Sequence, residues 1–143
     1  MIQTSNYSRK GNDLKSISIS YSIIPQIRMN CPDLRHMPEL GPNWFLLSKW
    51  KDGLITEEQY TYEYLDILAK RVLSPDAVLE MLPKDCYLLC YEAPHDFCHR
   101  HVLAEYIERG TGVVIREWLT EEETKKFEKA AKQEEYVESV LEF

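Results

Sequence analysis

Residues 86–91 read Cys86-Tyr87-Leu88-Leu89-Cys90-Tyr91, an unbroken apolar run of strand length. A strand with one wet face alternates apolar and polar side chains, so an unbroken run fits a central strand covered on both faces. Downstream, Glu92 to Phe97 is a loop, and Val102, Leu103, Tyr106 and Ile107 recur at the spacing of one helical face, with Gly110 as its stop. Val113-Val114-Ile115 is a second buried-strand pattern. Strand, helix and strand in this order form a βαβ unit, which demands parallel strands and a right-handed crossover.

Upstream, Ile2 to Tyr7 is a short β-compatible segment, and Ser8 to Asp13, with Gly11 and Asn12, reads as a turn. Ile17 and Ile19 alternate with Ser16, Ser18 and Ser20, the period of a strand with one buried face that ends near Ile23 or Ile24, before Pro25. Prolines at 25, 32, 38 and 42 interrupt any sustained period, so the stretch between Pro25 and Pro42 reads as an ordered loop. Asn43 caps a helix over Trp44 to Trp50 that Gly53 closes. Thr56-Glu57-Glu58-Gln59 is a capping signature, followed by Tyr60, Tyr64, Leu65, Leu68 and Val72 at helical spacing. Ser74-Pro75-Asp76 starts a further helix through Leu82.

The expected fold class is therefore α/β: a single compact domain with a small, mostly parallel sheet and flanking helices over residues 1–118, and an acidic amphipathic C-terminal helix over 119–143. The chain has 143 residues, of which 44% are hydrophobic and 29% charged, enough for one continuous core. Its net charge of −7 argues against a duplex-DNA groove binder. From Glu117 onward nine Glu face four Lys, so the acidity is concentrated there and the body is nearly neutral. That segment reads either as a solvated helix carrying Phe127, Ala130, Ala131, Val137, Val140 and Leu141 on its apolar face, or as an arm for a basic protein partner. With no long apolar run and no signal-peptide layout, the expectation is a cytoplasmic protein, not a membrane one, with its four cysteines reduced.

Chemistry concentrates in Cys90-Tyr91-Glu92-Ala93-Pro94-His95-Asp96-Phe97-Cys98-His99-Arg100-His101. This segment joins the C-terminal end of a central strand to a helix N-terminus, where α/β sheets place ligands. Asp96 is a natural N-cap, which sets Cys98 and His99 in the first turn, where free amides favour a thiolate or bound anion. At 100° per residue His99 shares the face of Val102, Leu103 and Tyr106 and points at the crevice, whereas His101 lies opposite and should meet solvent. Cys98, Cys90, Glu92 and His99 are thus the candidate catalytic residues, with Arg100 and Asp96 as ligand contacts to a small anionic, phosphate- or nucleotide-like molecule. A purely structural alternative has the cysteines as packing, Asp96 as a cap only and Arg100 paired with Glu92. Another is a metal site on Cys90, Cys98, His95 and His99, although the spacing matches no standard zinc pattern. A phosphatase-type Cys-x5-Arg loop fails because position 96 is Asp, and the chain has no Cys-x-x-Cys pair, Gly-rich phosphate loop or Ser nucleophile elbow.

Leu88-Leu89-Cys90-Tyr91-Glu92 together with Asp96-Phe97-Cys98-His99-Arg100-His101-Val102-Leu103-Ala104-Glu105 resembles the signature of the domain of unknown function 488 family. Thr4-Ser5-Asn6-Tyr7 and Ile19-Ser20 with Pro25 resemble its first two strand segments, Leu40-Gly41-Pro42 stands where members usually have Leu-Ala-Pro, and Lys51 to Glu58 with Tyr60 and Tyr64 resembles its next block. The resemblance spans Ile2 to Trp118. It implies a compact α/β domain, adds Tyr7 and Ser20 as expected ligand-binding residues, and names no reaction or cofactor.

Overall fold

The computed structural model describes the backbone of residues 1–141 and the side chains of residues 1–132. The chain runs β1 (Ile2–Asn6), α1 (Tyr7–Lys10), β2 (Ser16–Ser18), α2 (Pro25–Asn30), β3 (Arg35–His36), a 3-10 turn (Pro38–Leu40), α3 (Trp44–Lys51), α4 (Glu57–Lys70), α5 (Pro75–Met81), β4 (Cys86–Cys90), α6 (His99–Thr111), β5 (Arg116–Glu117) and α7 (Glu121–Leu141). Every strand pairing is parallel and the sheet order is β3-β2-β4-β1-β5. The expected α/β class is met, with a sheet wholly rather than mostly parallel.

β4 occupies the centre because both its faces are apolar. Leu88 and Leu89 point to opposite faces and both are fully buried. Leu88, with Ile17 and Ile19, joins the main core under α4, α5 and α6, including Tyr64, Leu68, Leu103 and Ile107. Leu89 joins a smaller cluster with Tyr7, Cys31 and Leu34 on the other face. The β4–α6–β5 crossover exists, but its strands are not neighbours, because β1 lies between them. β5 forms at Arg116–Glu117, beyond the apolar run that suggested it, and leaves Val113 and Val114 exposed.

Other differences have local causes. Ser16, Ser18 and Ser20 are buried, so β2 has no wet face. Hydrogen bonds make this tolerable: the Tyr7 hydroxyl bonds Ser18 Oγ at 2.7 Å and Ser20 Oγ at 2.6 Å, and Ser16 Oγ donates to the Lys10 carbonyl at 2.6 Å. The first half of the Ser8–Asp13 turn belongs to helix α1, started by Asn6, whose side chain accepts from the Arg9 amide. The Pro-rich stretch contains α2, with Pro25 at its start, and β3. α6 runs past Gly110 to Thr111 and stops at Gly112, whose φ of +78° suits glycine. Gly110 lies inside the helix at a point where a Cβ would collide with the Pro75 ring of α5, so this close approach requires glycine.

The caps at Asn43, Thr56 and Ser74 form as expected, Thr56 and Gln59 making a full capping box. α7 begins with a second such box between Thr120 and Glu123. Glu123 also takes a bidentate pair from Arg9 at 2.6 and 2.7 Å, tying the first turn of α7 to α1. The side chains of Val137, Val140 and Leu141 lie outside the described residues. No helix among the described residues is long and apolar enough to cross a membrane.

Candidate functional site

The C-terminal ends of β2 and β4 and the start of α6 converge on one point. Cys90 closes β4 and Cys98 is the N-cap of α6. The intervening loop folds back so that their sulfurs join as a disulfide, while Cys31 and Cys86 are free and buried. This corrects the expectation that all four cysteines are reduced thiols. The eight-residue separation matches no familiar redox spacing, so only the path of the loop reveals the pairing. Cys86 is inert packing, its thiol pushed up to about 11 by burial.

Cys98 takes the extended N-cap conformation without a side-chain cap bond. Asp96 does not cap: it is exposed, and its amide donates to the Ala93 carbonyl at 3.1 Å, placing it in a turn too early to reach the first helical amides. The N-terminus of α6 is thus left to the sulfur of Cys98 rather than to a carboxylate.

His99 is buried and held from below. Its Nε2 lies 2.6 Å from the Ile19 carbonyl oxygen, which only accepts, so Nε2 carries the proton. Nδ1 then presents its lone pair to Cys98 Sγ at 3.7 Å. Burial, above all, pushes the imidazole pKa down to about 4, keeping the ring neutral near pH 7. The Tyr64 ring meets it edge-on at 5.5 Å.

Arg100 is fully buried and does not line a cavity. Its Nε and Nη2 donate to the two carboxylate oxygens of Glu117 at 3.0 and 2.8 Å. Nη2 also donates to the Glu92 carbonyl at 3.0 Å, and Nη1 to Cys90 Sγ at 3.0 Å. The structural alternative's Arg100–Glu92 ion pair is therefore replaced by Arg100–Glu117, with Glu92 contributing only its backbone oxygen. A guanidinium at that distance favours Cys90 as a thiolate whenever the disulfide is open.

Beside Cys90, Cys98 and His99 opens a cavity of about 300 Å³. Ser20 belongs to its lining; Tyr7, bonded to Ser20 Oγ, stands behind it. One wall is a cluster of three rings, Trp50, Tyr60 and Phe97, with centroid separations of 5.1 to 5.4 Å. The opposite wall is the segment between β2 and α2, pinned by the Tyr91 hydroxyl, which accepts from the Ile24 amide and donates to the Ser22 carbonyl, each at 3.0 Å. Glu92 and Lys51 supply charge to the lining.

The structure thus gathers Cys90, Cys98, His99, Glu92 and Ser20 around one space and leaves Arg100, Asp96 and Tyr7 outside it. Trp50, Tyr60 and Phe97 were absent from the expected site. The first two sit in helices α3 and α4, where an aromatic at helical spacing reads as core, and Phe97 had only its place next to Cys98 as a signal. His101 meets solvent only in part: it is half-buried, and its Nε2 is enclosed without a hydrogen-bond partner among the described residues. His95 is exposed and packs on Phe127 at 4.1 Å. Ligating atoms of Cys90, Cys98 and His99 do lie within 4.8 Å of one another, but His95 is not among them. The guanidinium 3.0 Å from Cys90 Sγ fits a cation poorly.

A family model described as the active DUF488-N3 subclade matches residues 19–111, which run from just after β2 to the end of α6 and so include Ser20, the aromatic wall and the Cys90 to Arg100 segment. No curated protein and no solved structure gives a significant match.

Proposed function

We propose, for a chain that belongs to the DUF488 family, that the cavity at the C-terminal edge of the sheet binds a small molecule and presents Cys98 to it as a thiolate nucleophile. The observation that carries this reading is the meeting of Cys98, Cys90 and His99 on the wall of a cavity large enough for a small ligand. In the open, reduced pair the Cys98 thiol donates to His99 Nδ1, and the unfilled amides at the start of α6 stabilise the sulfur anion. Arg100 acts through Cys90: when an external thiol attacks Cys98 Sγ and opens the disulfide, the Cys90 sulfur beside the guanidinium leaves as the thiolate, and a second external thiol releases Cys98, the two external thiols being oxidised to a disulfide.

The ligand was expected to be anionic, with Arg100 as its contact. A guanidinium engaged by Glu117 supports that part weakly, and Lys51 is the cation that lines the cavity. Because the nucleophile exists in the reduced pair, the working location under this reading is a reducing, cytoplasmic compartment. The alternative of an acidic arm for a basic partner has less support, since Glu123 is already paired with Arg9.

Peptide-mapped alkylation tests the proposal. The reduced protein is treated with limiting iodoacetamide at neutral pH and the labelled cysteines are counted by mass spectrometry. Cys98 should label well ahead of Cys31 and Cys86. Labelling of Cys98 no faster than of those two buried thiols contradicts the proposal.

A further inference from the structure

Resting on the reading of the cavity as a ligand site, we infer that its ligand is a planar nitrogen heterocycle of the nucleobase class, recognised by ring contact and by one hydrogen-bonding edge. Two observations meet here. The first is the wall: Trp50, Tyr60 and Phe97 touch one another, with Trp50–Phe97 at 5.1 Å and Tyr60–Phe97 at 5.3 Å, and all three line the cavity. Such a surface offers apolar area and π-faces to a flat ring, and base–aromatic contact of this kind is favourable whatever the base.

The second observation is what that wall carries. The hydroxyls of Tyr7, Tyr64, Tyr91 and Tyr106 each bond to another residue. The Tyr60 hydroxyl makes no hydrogen bond among the described residues, although Tyr60 is only 3% exposed. Its oxygen is not among the enclosed, unpartnered polar atoms, so it reaches open space, and the space it borders is the cavity. Burial holds the phenol well above its ordinary pKa, with the Glu92 charge adding to the effect. Tyr60 is thus a donor at neutral pH. Glu92 lines the same cavity and, among the described residues, hydrogen-bonds only through its backbone carbonyl, to Asn6 and Arg100, so its carboxylate can accept from a ligand.

A donor and an acceptor on one cavity beside an aromatic wall select a ring whose edge carries an acceptor next to an N–H donor. Nucleobases have that edge. A phosphate has no flat face for the wall and brings negative charge against the Glu92 carboxylate, and a plain aromatic acid has no N–H group.

The test is titration of the reduced full-length protein with adenine, cytosine and hypoxanthine, with benzoate and inorganic phosphate as comparators, followed by Trp fluorescence and by calorimetry. At least one base should bind and change the Trp50 signal, and that change should vanish in Trp50→Phe while calorimetric binding persists. Tyr60→Phe and Glu92→Gln should each weaken binding about fivefold or more, with unchanged circular dichroism. Absence of binding by every base, or benzoate or phosphate binding as tightly as the bases, overturns the inference. If Cys98 still labels fast in that case, the thiol proposal stands alone. Base binding that survives in a protein whose Cys98 does not label preferentially supports the inference and removes the nucleophile.

Discussion

Replacing His99 with Gln should remove a share of stability that the wild-type protein loses on acidification. The folded protein holds His99 neutral, its pKa driven from 6.5 to about 4, chiefly by burial. Between those values the unfolded chain binds a proton that the folded chain refuses. Stability therefore rises with pH across this window, is fully present above the unfolded value, and is lost as pH falls toward the folded one. At 1.36 kcal/mol per tenfold change, the loss is roughly 3 kcal/mol once the pH is below the window. Urea unfolding of both proteins, at several pH values from about 7.5 to about 4, isolates the effect, because carboxylates and His101 titrate in both and cancel in the difference. At neutral pH the variant should be the less stable, since it loses the buried ring and its bond to Ile19. The gap should then narrow by roughly 3 kcal/mol on acidification. Parallel stability curves refute the argument, since they mean that His99 titrates alike in the folded and unfolded states.

Two further outcomes test the supports of the site. Glu117→Gln leaves the fully buried Arg100 without its counter-charge and should cost about 3–5 kcal/mol in urea unfolding; a loss under about 1 kcal/mol means that the backbone carbonyls alone suffice for the guanidinium. Gly110→Ala, which favours an isolated helix, should nevertheless destabilise by roughly 1–3 kcal/mol because its Cβ meets the Pro75 ring, and a higher melting temperature would show that α5 and α6 do not pack this closely.

The parts legible in the sequence were those governed by local chemistry. Cys86 to Cys90 is a doubly covered strand because every residue in it is apolar, and the caps at Asn43, Thr56 and Ser74 formed because their side chains bond amides only three residues away. The buried serines of β2 were not legible, since their burial depends on the Tyr7 hydroxyl from another element. Nor was the sheet order, in which β1 separates β4 from β5.

The candidate site divides in the same way. Cys90, Cys98 and His99 lie within ten residues, and helical geometry alone turns His99 inward. Arg100 prefers Glu117 to the nearer Glu92 because the last residue of β5 returns beside α6, a long-range fact. The aromatic wall comes from α3, α4 and the loop before α6, three segments that only the tertiary fold unites.

The most direct test of the central claim is the pH dependence of Cys98 alkylation in the reduced protein, followed peptide by peptide against Cys86 as an internal reference. The positive end of α6 favours the Cys98 thiolate, whereas Cys86 has burial raising its thiol to about 11. The account predicts a Cys98 midpoint below the ordinary thiol value of about 8.5. A Cys98 midpoint at or above that ordinary value contradicts it.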